Sequence, residues 1–229
     1  MLPPELESLL RTGARELGCP LTDAQAAALL AYLSLLIRWN RTYNLTAVRD
    51  PRQMLTQHLL DSLSIVGPLR RHTDGKLFRL LDVGSGGGLP GVVIAAILPA
   101  ASVTCAEAVG KKAAFIRQAA LEMGLANLEA AHGRVERLGG GLFDVIASRA
   151  FASLQDFASL TRGKLRPGGT WVAMKGQVPD AEVQALDRQI AAVFHVEQLT
   201  VPLLEGRRCL VWMRPPSDEV VKRASTASG

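Results

Sequence analysis

One segment, Asp82-Val83-Gly84-Ser85-Gly86-Gly87-Gly88-Leu89-Pro90-Gly91, constrains this chain more than any other. It follows Phe78-Arg79-Leu80-Leu81-Asp82-Val83, which reads as a buried strand, and leads into Gly91 to Leu98, a short apolar helix stopped by Pro99. Glycines between a strand and a helix let the backbone adopt left-handed conformations and bring its N–H groups close to a ligand. The helix N-terminus that follows favours a negative group. A tight turn without a ligand is the bland alternative, and five glycines at this topological position argue against it.

The surrounding pattern supplies the architecture. Residues 1 to 69 read as helical: Thr22-Asp23-Ala24-Gln25 is a capping-box start, and Leu29, Leu33, Leu36 and Ile37 form one apolar stripe behind it. A second helix is expected over Gln53 to Val66, opened after Asp50-Pro51 and closed near Gly67-Pro68. From Phe78 onward strands alternate with helices. Further strands are expected at Ser102 to Ala106, Leu128 to Ala131, Phe143 to Ala147 and Thr170 to Met174. Helices are expected at Lys111 to Met123 (with Gly124 as its cap), Ser153 to Gly163 and Asp180 to Ala191. That alternation predicts an α/β fold with a mostly parallel sheet. Phe194 to Thr200 and Cys209 to Arg214 are joined without a helix, which predicts an antiparallel hairpin at the sheet edge. Residues 70–214 then form the main domain, 1–69 a helical extension, and the Ser- and Ala-rich residues 215–229 a disordered tail.

Composition narrows the classes. With 229 residues, 48% hydrophobic and 21% charged, the chain can bury a real core, so wholesale disorder is excluded. Cys19, Cys105 and Cys209 stand alone, so neither a disulfide framework nor a zinc site is expected, and the compartment reads as cytoplasmic. The apolar runs Ala26 to Ile37 and Val92 to Leu98 are too short to span a bilayer. The opening MLPPELESLL lacks the basic start of an export signal. The net charge of +5 rests on 20 Arg against 6 Lys. Arginine forks suit phosphate, although a GC-rich genome also favours Arg codons.

Two registers of the glycine loop imply different ligands. Gly86, Gly88 and Gly91 match GxGxxG, a weak dinucleotide signal. Asp82-x-Gly84-x-Gly86-x-Gly88 instead ends the strand on an acid. That acid suits the cationic amino group of S-adenosylmethionine and would repel a pyrophosphate. Glu107 ends the second strand 23 residues after Gly84, where a carboxylate can accept from both ribose hydroxyls. Val135 and Glu136 follow the third strand at the height of an adenine, though a solvated turn reads equally well. Arg149 and Phe151 follow the fourth strand, where an acceptor would enter. They read either as substrate contacts or as a surface cation and a core ring. His58 and Asp61, spaced i,i+3 on a helix, read as substrate guides or as a packing pair. Trp39 and Tyr43 read as core between the helical extension and the sheet.

Taken in order, Trp39-Asn40-Arg41-Thr42-Tyr43-Asn44-Leu45-Thr46, His58-Leu59-Leu60-Asp61-Ser62, the DVGSGGGLPG loop, Ser148-Arg149-Ala150-Phe151 and Lys175-Gly176 resemble the bacterial small-subunit rRNA guanine-N7 methyltransferases, the glucose-inhibited division protein B family. The resemblance runs from about Leu21 to Arg214. It implies a class I methyltransferase fold, S-adenosylmethionine as donor and S-adenosylhomocysteine as product. It also implies guanosine 527 of 16S rRNA as acceptor, in a 30S subunit or an assembly intermediate. By position it maps the donor site onto Asp82, Gly84, Gly86, Gly88, Leu89, Glu107, Ala108, Val109, Val135, Glu136 and Arg149. Substrate positioning would fall to Arg149, Phe151, His58, Asp61 and Lys175. Guanine N7 carries a free lone pair and no proton, so no general base is expected. Lys111, Lys112, Arg134 and Arg137, near the strand carboxyl ends, are the expected RNA contacts, and a monomer is expected. Two rivals remain at this stage: an NAD-dependent oxidoreductase using the GxGxxG register, disfavoured by Asp82 and the terminal hairpin, and a non-catalytic RNA-binding module, disfavoured by the intact loop and Glu107.

Overall fold

A computed structural model describes residues 2–149, 151–177, 179–188 and 190–216; the tail expected over 215–229 therefore lies almost wholly outside the described residues. Helices come first: α1 (Glu5–Glu16), α2 (Asp23–Tyr43), α3 (Pro51–Met54), a π-helical segment (Leu55–Leu60), α4 (Asp61–Leu63) and α5 (Val66–His72). The sheet region follows as β1 (Phe78–Val83), α6 (Gly91–Ile97), β2 (Ala101–Glu107), α7 (Gly110–Glu122) and β3 (Leu128–His132). A 3₁₀ turn (Val135–Arg137) leads to β4 (Phe143–Ser148), α8 (Leu154–Thr161), β5 (Leu165–Lys175), α9 (Asp180–Ala185), β6 (Ala192–Leu199) and β7 (Arg208–Arg214).

Seven strands form one sheet in the order β3-β2-β1-β4-β5-β7-β6. The first five run parallel, and β7 pairs antiparallel with both β5 and β6, so the expected hairpin is present. Chain order reverses between β1 and β4, which opens a crevice at the strand carboxyl ends. Alternation along each strand divides the core. Leu80, Val103, Cys105, Val172, Met174 and Trp212 pack in one cluster with Leu29, Leu33 and Leu36 of α2, with α1 and with α6. Leu81, Ile146, Trp171, Ala173 and Met213 pack in the other with Phe157 of α8. The N-terminal helices thus form part of one layer of a three-layer sandwich, sharing its apolar cluster.

The α2 start carries the capping box read from sequence. Gln25 N–H donates to Thr22 Oγ1 at 3.2 Å, and Thr22 N–H donates to Gln25 Oε1 at 3.0 Å. Asp50 caps α3 by accepting from Gln53 N–H at 2.8 Å.

Three expectations need correction. Gly67-Pro68 does not close a helix; it sits in the first turn of α5, where the missing proline N–H has no intrahelical partner to lose. The break falls earlier, at Ser64, whose hydroxyl donates to the Asp61 carbonyl at 2.6 Å. Strand β5 starts at Leu165 rather than Thr170, because Pro167-Gly168-Gly169 forms a bulge: Phe143 pairs Leu165, and the register then shifts so that Val145 pairs Thr170. Helix α9 ends at Ala185, short of the expected Ala191. Among the described residues, no helix is long and apolar enough to cross a membrane.

Thr22→Ala removes one half of the α2 capping box on an exposed surface. It should lower the unfolding free energy by about 1 kcal/mol. Urea unfolding should show this as a lower midpoint with an unchanged slope.

Candidate active site

Two carboxylates hold the glycine loop from the strand ends. Asp82 Oδ2 accepts from Gly91 N–H at 2.8 Å. Glu107 accepts from Gly86 N–H through Oε2 and from Val109 N–H through Oε1, both at 2.8 Å. A third anchor comes from the helical layer, where Tyr32 Oη donates to the Gly87 carbonyl at 2.7 Å.

The glycines divide into two kinds. Gly84 (φ 66°) and Gly86 (φ 59°) are left-handed, and a Cβ built on either meets nothing within 4 Å, so open space lies over them. Gly88 and Gly91 are filled from below. A Cβ would stand 2.5 Å from Val92 Cγ2 at Gly88, and 2.4 Å from Cys105 Sγ at Gly91. The GxGxxG register therefore depends on two glycines that serve packing.

Over the open pair lies a cavity of about 130 Å³, lined by Tyr32, Leu36, Leu45, Thr46, His58, Gly84, Gly86, Gly87, Leu89 and Arg149. Of the residues expected at a donor site, Gly84, Gly86, Leu89 and Arg149 meet here. Glu107 is buried directly beneath them. Its two hydrogen bonds leave acceptor capacity, since an ionised carboxylate offers about four lone-pair positions. Ala108 and Val109 are exposed beyond β2, and Val135 is buried in the 3₁₀ turn with Glu136 exposed beside it. Asp82 departs from expectation. It is 0% exposed, it faces Gly91 and Cys105, and its Oδ1 has no hydrogen-bond partner. Through Oδ2 it underpins the loop.

The expected substrate-side residues are tied to protein groups. His58 lies in the π-helical segment, its Nε2 2.9 Å from Thr46 Oγ1. Thr46 is fixed in turn by its N–H on Asn40 Oδ1 at 2.9 Å. Burial, and then the Arg149 charge, push the His58 pKa down to about 4. Asp61 is not paired with His58; it takes Arg149 Nη1 on Oδ2 at 3.3 Å and Arg208 Nε on Oδ1 at 2.9 Å. Arg149 also donates to the Gln57 carbonyl at 3.1 Å. Lys175 pairs with Glu182 at 2.9 Å and donates to the Phe151 carbonyl at 3.2 Å. The Phe151 ring lies against Phe157, 5.4 Å between centroids. Lys111, Arg134 and Arg137 are exposed and Lys112 is half-buried.

Sequence reasoning assigned no role to Tyr32, Leu36, Gly87 or Arg208, and it used Leu45 and Thr46 only as part of a motif. Leu36 read as an ordinary member of the α2 stripe, and Tyr32 carried no signal of its own. Arg208 lies 147 positions from the carboxylate it meets. Tyr43 reverses its expected place: it is 42% exposed, while Trp39 alone packs inward, on Phe115 of α7 at 5.5 Å.

The family described as rRNA small subunit methyltransferase G (GidB) matches residues 25–211. The chain belongs to this family. A family relative from Leptothrix cholodnii, named ribosomal RNA small subunit methyltransferase G, is 60% identical over 216 residues, 94% of this chain and 98% of that one. A second of the same name, from Methylibium petroleiphilum, is 57% identical over 204 residues, 89% and 92% of the two chains. Solved structures share the fold at lower identity. TrmN from Thermus thermophilus matches at TM-score 0.54 and 20% identity, covering 67% of this chain and 48% of that one. A SAM-dependent methyltransferase from Aquifex aeolicus matches at 0.53 and 15%, covering 72% and 97%. The family member described here therefore has the class I methyltransferase architecture, with a seven-stranded sheet and a terminal antiparallel hairpin.

Burial raises the Asp82 pKa from 3.8 to about 7, against the lowering effect of the Gly91 N–H and of Arg149. Between those values the folded chain holds a proton that the unfolded chain has released. The group's contribution to stability is therefore fully present below about pH 4 and is lost as pH rises through 7. Asp82→Asn keeps an acceptor for Gly91 and cannot ionise. Its stability relative to the parent should be more favourable at pH 8 than at pH 5 in urea unfolding. An equal difference at both values would show Asp82 ionised throughout.

Proposed function

We propose that this chain transfers the methyl group of S-adenosylmethionine to N7 of a guanine in 16S rRNA. By the family resemblance the acceptor is guanosine 527, presented in a 30S subunit or an assembly intermediate, and the enzyme works as a cytoplasmic monomer. The coarser statement, S-adenosylmethionine-dependent methylation of small-subunit rRNA, follows from family membership. One observation supports the choice of N7. Beside the cavity, Asp61 is engaged by Arg149 and Arg208, and His58 meets Thr46 through Nε2 while its Nδ1 has no hydrogen-bond partner among the described residues. An acceptor atom with a free lone pair needs positioning and no proton removal.

The character of the cavity supports placing the methionine end of the donor there. Open space stands over two left-handed glycines, and an apolar wall of Leu36, Leu45 and Leu89 faces them. Gly84, Gly86, Leu89 and Arg149 would hold the methionine end, and Glu107 the ribose hydroxyls. Ala108, Val109, Val135 and Glu136 would flank the adenine, while Asp82 and Gly88 keep the loop in shape. When bound, the donor supplies an electrophilic sulfonium methyl. The chain's own part is to fix Arg149 through Asp61 and Gln57, to keep His58 neutral, and to present Lys111, Lys112, Arg134 and Arg137 to the RNA backbone.

S-adenosylhomocysteine should raise the melting temperature, with a stabilisation of about 2.7 kcal/mol at a hundredfold excess over Kd. Gly86→Asp should abolish that shift by filling the open space and opposing Glu107.

Tritiated methyl transfer onto 16S rRNA, free and in 30S particles, tests the acceptor. Cleavage of the product at 7-methylguanosine by reduction and aniline treatment maps the modified position. Single-turnover rates at saturating RNA should be nearly flat from about pH 6 to pH 9. Arg149→Ala should lower the rate more than His58→Ala or Asp61→Asn, and none should create a titrating limb. A rate that climbs tenfold per pH unit and loses the climb in His58→Ala would replace N7 by an exocyclic amine or a ribose hydroxyl.

A further inference from the structure

We propose that Tyr43 is a stacking platform for an unpaired base of the RNA substrate, with Arg49 holding the strand's phosphate beside it. This rests on the reading of the chain as an rRNA methyltransferase. The ring is 42% exposed, yet its orientation is fixed from behind by Trp39, at 5.1 Å between centroids and 39° between planes. Trp39 is itself held edge-on by Phe115, at 5.5 Å and 65°. The cluster is anchored on Phe115 of α7, and its outermost ring, Tyr43, is left partly to water.

Its place is at the rim of the donor cavity. Helix α2 puts Tyr32 and Leu36 into the cavity wall and ends at Tyr43. Asn44 follows in a left-handed conformation (φ 49°), and Leu45 and Thr46 line the cavity. Two residues span at most ~7 Å, so the Tyr43 backbone stands within that distance of a cavity-lining residue.

The charge beside it is positive. Arg49 Nη2 donates to Asn44 Oδ1 at 3.2 Å, so the guanidinium is held by a neutral partner, the residue that follows Tyr43. The neighbouring acid, Asp50, is turned to the Gln53 N–H. A half-exposed aromatic ring backed by a second ring, with a cation that makes no ion pair among the described residues held on the next residue, suits single-stranded nucleic acid: a base stacks and its phosphate meets the guanidinium. A duplex would offer the ring no free base face.

The test uses the full-length protein, a single-stranded 16S rRNA fragment and intact 30S particles. Tyr43→Ala and Tyr43→Leu should each weaken fragment binding by roughly tenfold, the scale of one lost base–aromatic stack. They should raise KM for 30S particles more than they change kcat. Tyr43→Phe and Tyr43→Trp should restore the affinity. Arg49→Gln should reduce the log–log salt slope of binding by ~0.7, one single-strand phosphate contact. S-adenosylhomocysteine binding and the melting temperature report that each variant is folded. If Tyr43→Leu binds as tightly as the parent, the ring is not a platform. If the parent itself neither binds the fragment nor methylates 30S particles, the rRNA reading fails along with it.

Discussion

Backbone N–H groups held by two strand-end carboxylates are the constraint on which this site rests. Asp82 and Glu107 stand at the ends of neighbouring parallel strands and grip Gly91, Gly86 and Val109 from below. An acid on each strand converts a flexible glycine run into a fixed saddle, because its bonds reach both ends of the run. The arrangement spends the lower surface of the loop on protein contacts and leaves the upper surface of Gly84 and Gly86 free. Burying a carboxyl as deeply as Asp82 is tolerated because one oxygen is bonded and the group can stay protonated.

A second carboxylate bridge stands beside the cavity, at Arg149. Asp61 comes from the helical layer, Arg149 from the end of β4 and Arg208 from the start of β7, so one buried acid joins three distant segments. Buried ion pairs contribute little net stability, but losing one partner leaves an uncompensated charge, so such a bridge fixes geometry more than it strengthens the fold. The π-helical segment Leu55–Leu60 leads directly into Asp61 and carries His58 into the cavity wall. Interruptions of this kind often mark functional sites. Here the interruption falls where two loops and a strand end have to meet.

The parallel strands, the loop and the terminal hairpin were legible because each is written locally, in apolar runs bounded by glycine and proline. The misses have local causes too. Pro68 reads as a stop in sequence, yet a proline in a first turn is compatible with a helix. Pro167-Gly168-Gly169 reads as a turn, yet a bulge absorbs it within β5. On α2, Tyr32, Leu36, Trp39 and Tyr43 lie at helical spacing on one stripe, and periodicity treats them alike. It reports which face a residue is on but not how far the neighbouring elements extend, so the buried hydroxyl of Tyr32 and the exposed ring of Tyr43 could not be told apart. Arg208 was invisible for a different reason, since no local pattern links it to Asp61.

Several arginines take structural roles in the described residues. Arg79 spans the Gly140 and Leu142 carbonyls, Arg38 pairs with Glu122, Arg71 with Glu197 and Arg166 with Asp144. These arginines stitch elements together, and their forked geometry is what that job needs. Arg149 and Arg208 are oriented by Asp61. Arg134 and Arg137 follow the carboxyl end of β3, and Lys111 and Lys112 follow that of β2, with no acidic partner among the described residues. Arg38, Arg71 and Arg166 are paired with acids where they sit, so the field that an approaching polyanion feels comes mainly from the cations left over. Those after β2 and β3 stand at the same end of the sheet as the cavity. A net charge too small to identify a partner thus becomes directional, through which charges the fold consumes and which it leaves.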